Sequence, residues 1–298
     1  RARAVAAMIV WSSRFPGHQK PLGYLRLLRA RHLYFDRLGF GRRESGGIGV
    51  KTIPGHQSRL ADLWQTKKGQ RCFILGNGPS LNKMDLSPLK DQITIGFNGL
   101  YKLFPEWGWH TNYLVFEDIE QTEIRGPEIP AIRGPQKLAA IYNAYAFAHC
   151  DDLLYMNCRY IDRVYWRTLR PMFSVDFANI VYLGSTVTYI GLQLAFHLGC
   201  SPVYVIGVDH NYGKLPELFP PGKIEITAEN IDLVRQCHFS ENYYKIGDVI
   251  GVPNVEAQED FYRHARKVYE QHGRKVFNAG VDSKPDVFER VPFDSLFP

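Results

Sequence analysis

The chain has 298 residues, a hydrophobic fraction of 45% and a charged fraction of 22%. That composition belongs to a globular chain long enough to bury its own core, and it excludes disorder and low-complexity classes. The formal net charge is +6 but unevenly placed: residues 1–66 hold ten Arg and two Lys against Asp36, Glu44 and Asp62, a local +9, while the rest of the chain carries −3.

Residues 1–66 read as a basic helical region, and residues 67–298 as the main domain. In PLGYLRLLRARHLYFDRLGF, Leu25, Leu28, Leu33 and Leu38 recur at roughly helical spacing, with Arg26, Arg29, Arg31 and Arg37 among them. Two readings stay open: a helix packed on the main domain with a solvated basic face, or a surface that meets an anionic membrane or partner. From Arg71 the pattern becomes short apolar runs separated by helical stretches. CFILG (72–76), ITIGFN (93–98) and YLVFED (113–118) read as strands. KLAAIYNAYAFAHC (137–150) reads as a helix, then LLYMN (153–157) and IVYL (180–183) as strands. GSTVTYIGLQLAFHLG (184–199) is a helix with Ser185 or Thr186 near its start and Gly199 as its stop. VYVIGVD (203–209) is the clearest buried strand, VEAQEDFYRHARKVYEQHG (255–273) an amphipathic helix, and KVFNAG (275–280) a late strand.

Strands alternating with helices imply an α/β fold: a mostly parallel sheet with helices on both faces, Rossmann-like, preceded by the basic region. Cys72, Cys150, Cys158, Cys200 and Cys237 are odd in number and form no CxxC pair. A reducing cytoplasm fits them better than a disulfide scaffold or a zinc knuckle. No run of 18 apolar residues occurs. The chain opens on Arg1, so a piece of a longer protein is expected.

Ligands of open α/β sheets bind beyond the carboxyl ends of the strands. That rule selects Gly76-Asn77-Gly78-Pro79-Ser80, where glycines let backbone approach a ligand and free N–H groups can face a phosphate. It selects Asn98-Gly99, whose amide can donate and accept, or simply make a turn. Ser185 and Thr186 at a helix start can cap it, and the same terminus can face an anion. Asp209 either holds a sugar hydroxyl or metal ion, or braces its loop. His238 lies in the polar, aromatic CHFSENYY segment, where a general base and a structural histidine are both open readings. Asp151-Asp152 precedes a strand and falls away from these ends. There is no GxSxG, HExxH, kinase signature or DxD triplet.

ILGNGPSL (74–81), IGFNGLY (95–101), YLVFED (113–118), GSTVTYIGLQLA (184–195), VYVIGVDHNYG (203–213) and HFSENYY (238–244) occur in that order. Together they resemble the MptE-like family, named after an archaeal hydroxymethylpterin diphosphokinase and frequent in bacterial polysaccharide clusters. The resemblance spans about residues 68–298. A more distant one is to bacterial lipooligosaccharide sialyltransferases and flagellin nonulosonate transferases. These resemblances imply an inverting, metal-independent glycosyltransferase. Its donor would be a nucleotide sugar, CMP-linked by preference, and its acceptor a cell-surface polysaccharide or lipid-linked saccharide. They would place Gly76, Asn77, Gly78, Ser80, Asn98, Gly99, Ser185, Thr186 and Asp209 at the donor and make His238 the base. Tyr212 and Tyr243 would assist the leaving phosphate. The diphosphokinase alternative would transfer diphosphate from ATP, with Asp118 and Asp209 holding Mg²⁺. A third reading is a nucleotide-sugar-binding module without catalysis. None invokes nucleic acid, and the expected place is the cytoplasm, with residues 1–66 at an anionic membrane surface.

Overall fold

The computed structural model describes residues 54–147, 150–159 and 171–297. The expected basic helix around residues 25–38 lies outside them. The described end of that region, helix α1 (Pro54–Ala61), is packed on the main body: Leu60 is 1% exposed, and its carbonyl faces His197 Nε2 at 2.9 Å.

The main sheet has eight strands. In chain order they are β1 (Cys72–Leu75), β2 (Ile93–Phe97), β3 (Tyr113–Phe116), β4 (Gln136–Ala140), β5 (Leu153–Met156), β8 (Val203–Ile206), β11 (Val276–Asn278) and β12 (Glu289–Arg290). In space they run β12-β11-β8-β1-β2-β3-β4-β5, every pairing parallel. The other strands make two small ladders. β6 (Cys158–Arg159) pairs in parallel with β7 (Val181–Tyr182), and β9 (Gly222–Glu225) pairs antiparallel with β10 (Val249–Val252).

A parallel sheet covered on both faces needs apolar side chains on both, which is why its strands are near-continuous hydrophobic runs. In β1, Cys72 and Ile74 join one core, while Phe73 and Leu75 join the other. Helices α3 (Val187–Leu198) and α5 (Val255–Gln271) cover the first face; short 3₁₀ turns and the C-terminal Phe293 cover the second. α3 is buried nearly all round, as expected of a helix with no polar stripe. Helix α2 (Ile119–Arg125) follows β3, and α4 (Ile231–Arg235) precedes the His238 segment. A third, small core of Leu215, Ile226, Ile231, Val234, Cys237 and Ile250 supports the lobe between β8 and α5 that carries His238. No helix among the described residues is long and apolar enough to cross a membrane.

One element departs from expectation. The helix expected over 137–150 gives way to other structure at 136–146: β4 takes Gln136–Ala140, and a 3₁₀ stretch takes Ile141–Ala146. Alanine-rich sequence favours helix in isolation, but here Leu138 and Ala140 fill one core and Ala139 the other. Lys137 is buried in that strand and paired with Asp152 at 2.9 Å, just before β5. The expected strand at 180–183 is the short β7, outside the main sheet.

Candidate functional site

The chain order of the strands reverses between β1 and β8, which is where open α/β sheets form their ligand crevice. A cleft of about 130 Å³ lies there, lined by Gly76–Gly78, Thr186–Thr188, Gly207–Tyr212, Cys237, His238 and Tyr262. The loops after β1 and β8 are pressed together. Gly76 N–H donates to Ile206 O and Gly78 N–H to Gly207 O, both at 2.8 Å. A Cβ at Gly76 would overlap the Gly207 carbonyl, and one at Gly78 would overlap the Asp209 carboxylate. These glycines therefore serve close loop-to-loop contact, and both also line the cleft.

Three of the N–H groups expected to face a phosphate in that turn, those of Gly76, Gly78 and Ser80, are engaged within the protein. Ser80 N–H donates to Asp209 Oδ2 at 2.8 Å, and the Ser80 hydroxyl donates to Asp209 Oδ1. Asp209 thus braces the two loops. Burial raises its pKa and the two Ser80 bonds oppose the rise. Lys284 N–H and Ser283 Oγ bond the carbonyls of Asp209 and Val208 from behind.

The same β1 loop holds the His238 segment. Phe239 N–H donates to Asn77 O at 3.0 Å, and Asn82 Nδ2 donates to Phe239 O at 2.7 Å. These bonds fix the backbone beside His238 at the cleft wall. The imidazole stacks on Tyr243 with centroids 4.3 Å apart and 19° between planes. Behind Tyr243 lies the buried Arg125, 4.5 Å over the ring, donating to the Tyr243 carbonyl at 2.8 Å and to Gln121 at 2.9 Å. The Tyr243 hydroxyl accepts the Gly99 N–H at 3.1 Å, and a Cβ at Gly99 would sit 2.7 Å from that ring. Gly99 is therefore small to admit Tyr243, and Tyr243 backs His238 without lining the cleft.

Across the cleft, Thr186 caps α3: its hydroxyl accepts from Thr188 N–H at 3.3 Å. Ser185 holds left-handed backbone, φ 59°, and its carbonyl accepts from Gln258 Nε2 at 3.2 Å. Gln258 also takes the Tyr212 hydroxyl at 3.4 Å. Asn98, buried at the end of β2, is left-handed too, φ 47°, a conformation Asn tolerates better than most residues.

Two cleft residues had no role in the sequence expectations, although His210 lies within the VYVIGVDHNYG motif (203–213). His210 follows Asp209 with φ 49° and 7% exposure, and Tyr262 of α5 is 1% exposed. Their rings stack at 5.7 Å and 18°. Nothing in the sequence marked Tyr262, because an aromatic on an amphipathic helix reads as core. Among the described residues, five of the nine buried side-chain atoms without a hydrogen-bond partner line this one cleft: Asn77 Oδ1, His210 Nδ1 and Nε2, His238 Nδ1 and the Tyr262 hydroxyl. Native interiors leave few such groups, so their concentration here calls for an explanation. Burial pushes both histidines down to about 4; at His238 the nearby Val234 carbonyl, too poorly aligned for a normal hydrogen bond, opposes the shift and the Arg125 guanidinium adds to it. Both imidazoles are therefore neutral near pH 7.

Asp118 does not join this cleft. It caps α2, accepting Gln121 N–H at 2.7 Å. Its strand, β3, is three places from β8, roughly 14 Å at the usual strand spacing. Asp118 and Asp209 are thus not brought together as a Mg²⁺ pair, and both Asp209 oxygens are already engaged by Ser80. Among the described residues no cluster of three metal-ligating side chains forms.

No family model matches the chain, and no curated protein matches it in sequence. A solved structure, the MAf glycosyltransferase of Magnetospirillum magneticum AMB-1, is similar in shape. The match has a TM-score of 0.47 and 14% identity, covering 83% of this chain and 39% of that one. The chain thus spans well under half the length of that protein. The MptE-like resemblance rests on the motifs alone.

Proposed function

We propose that this protein is an inverting, metal-independent glycosyltransferase. Its donor is a nucleotide sugar, CMP-linked by preference, and its acceptor a cell-surface or lipid-linked saccharide. The observation that carries the reading is the set of unpartnered polar atoms around a crevice at the sheet's switch point. At about 130 Å³ the crevice is smaller than the roughly 300–1,000 Å³ of a typical ligand pocket, so it takes part of the donor, with base and sugar extending from its mouth. The CMP preference and the saccharide acceptor rest on the motif resemblance.

In this reading His238 is the base. Its neutral imidazole accepts the proton of the acceptor hydroxyl as that oxygen attacks the anomeric carbon. The carbon–oxygen bond to phosphate breaks on the opposite face, and its electron pair stays on the phosphate, which gives inversion. Negative charge builds on the leaving phosphate, and hydrogen-bond donors preset around it stabilise the transition state. Tyr212 and the N-terminus of α3 are the candidates beside Thr186. Tyr243 is reassigned in this proposal from phosphate assistance to holding His238. Residues 1–66 would keep the enzyme at an anionic membrane, where lipid-linked acceptors sit.

A thermal-shift panel with CMP, UDP, GDP and ATP, each with Mg²⁺ or EDTA, tests the proposal. Stabilisation by CMP in EDTA is the expected result, since a ligand raises stability as RT ln(1 + [L]/Kd). A response to ATP that requires Mg²⁺ would overturn it in favour of diphosphate transfer. His238→Ala should slow sugar transfer roughly 10²–10⁴-fold while CMP still binds. Unchanged transfer would remove His238 from the chemistry.

A further inference from the structure

His210 is the buried group in this molecule that its own fold explains least. Its side chain is 2% exposed, and the ring stacks on Tyr262 at 5.7 Å and on Tyr212 at 6.2 Å. A phenylalanine ring would stack there equally well, so packing does not ask for the two nitrogens. Neither nitrogen has a hydrogen-bond partner. Glu259 is the nearest carboxylate, but its Oε1 stands 3.7 Å from Nδ1, beyond hydrogen-bond range, and its other oxygen is held by Arg263 at 3.0 Å. The backbone at His210 is left-handed, φ 49°, a conformation that costs a non-glycine residue free energy. Beside it, the Tyr262 hydroxyl is buried near the Thr186 and Thr188 hydroxyls, again without a bond of normal geometry. Two strained or unpartnered polar groups, from the loop after β8 and from α5, therefore face one crevice at the switch point.

We infer that His210 and Tyr262 form a seat for the ribose–phosphate part of the nucleotide, and that the unliganded fold is less stable for keeping it. This rests on the nucleotide-donor reading above and deepens it. A buried group without a partner destabilises the empty protein, and a ligand oxygen that supplies the partner recovers that loss on binding. Residues that hold a ligand in this way trade stability for affinity. Water is the competing occupant: the crevice has room for about four molecules at roughly 30 Å³ each. Waters that satisfied His210 permanently would make it an ordinary structural residue, and the two cases differ in what a His210 variant does to the empty protein.

The test compares wild type with His210→Phe, His210→Asn and Tyr262→Phe. The Tm of each is measured without ligand, and calorimetry gives the affinities for CMP, cytidine and inorganic phosphate. His210→Phe should leave the unliganded Tm equal to or above wild type, yet bind CMP at least tenfold more weakly. His210→Asn, which suits the left-handed backbone, should show the same loss of affinity should the Phe variant not fold. Tyr262→Phe should weaken CMP binding by a smaller factor. A loss seen against cytidine places the contact on the ribose, one seen against phosphate places it on the phosphate, and either supports the seat. The inference is overturned by CMP affinities within twofold of wild type in both His210 variants. It is equally overturned by a lower unliganded Tm in His210→Phe with affinity intact, or by a wild type that binds none of the three probes. Failure of the transferase reading would look different: the His210 variants would lose affinity, but the wild type would transfer no sugar.

Discussion

Two polar clusters sit at strand ends of this sheet, and they are built in opposite ways. After β3, Glu117 accepts the Tyr142 hydroxyl, its carbonyl takes Asn143 Nδ2 at 2.6 Å, Asp118 takes Gln121 N–H, and Glu120 pairs with Lys223. One atom there, Asn143 Oδ1, lacks a partner. At the β1/β8 crevice both Asp209 oxygens and the Gly76, Gly78 and Ser80 N–H groups are engaged, yet five side-chain atoms are left over. The comparison separates scaffold from site. Carboxylates alone suggested chemistry at Asp118, but its bonds are those of a helix cap. The unspent hydrogen bonds lie where the strand order reverses.

The largest effect should come from forcing the two loops of the crevice apart. Gly76→Ala places a methyl against the Gly207 carbonyl, backbone against backbone, with no flexible side chain to yield. We expect a loss of about 3 kcal/mol or more in urea unfolding, or failure to fold. Next comes Ser80→Ala, which strips one of two bonds from an Asp209 that is 6% exposed. It should cost about 1–3 kcal/mol. Tyr142→Phe, the matching change in the acidic cluster, should cost about 1 kcal/mol, because the buried ring keeps its packing and Glu117, less buried than Asp209, loses a single hydrogen bond. A Ser80→Ala cost below that of Tyr142→Phe would contradict the bracing role given to Asp209.

The fold was legible because β1, β2, β3 and β8 are buried on both faces and announce themselves as apolar runs. The strand-end rule then pointed to the loops that meet at the crevice. What those residues do there was not legible. The bond between Ser80 and Asp209 spans 129 positions, so no local pattern shows that the Ser80 N–H is already used. The need for Gly76 comes from Gly207, on another strand. Residues 137–150 misled because alanine's helical preference is local, while the slot between β3 and β5 is set by the whole sheet. Tyr262 carried no sequence signal, and His210 carried only its place in the motif after β8, since absence of a partner is a property of the folded interior.

The smallest net effect should be in pH, where the two clusters oppose one another. His210 and His238 fall from an ordinary value of 6.5 to about 4 on folding. Between those values the unfolded chain binds more protons than the folded one, so stability is present above pH 6.5 and is lost as pH falls toward 4. His197, also lowered by burial, adds to that limb. Glu117 goes the other way: burial raises it from 4.5 to about 7, so its contribution is present below pH 4.5 and is lost as pH rises through 7. Asp118 is raised by the same cause, burial first and Glu120 second. Over pH 4.5–6.5 the limbs partly cancel. The wild-type Tm should therefore change by only about 1 kcal/mol equivalent, roughly 2–4 °C. The variants separate the limbs. Glu117→Gln removes the opposing term, so its Tm should fall more steeply on acidification than that of wild type, and His210→Phe should fall less steeply. If both variants follow the wild-type curve, neither cluster sets the acid response, and the neutral state of the two crevice histidines loses its support.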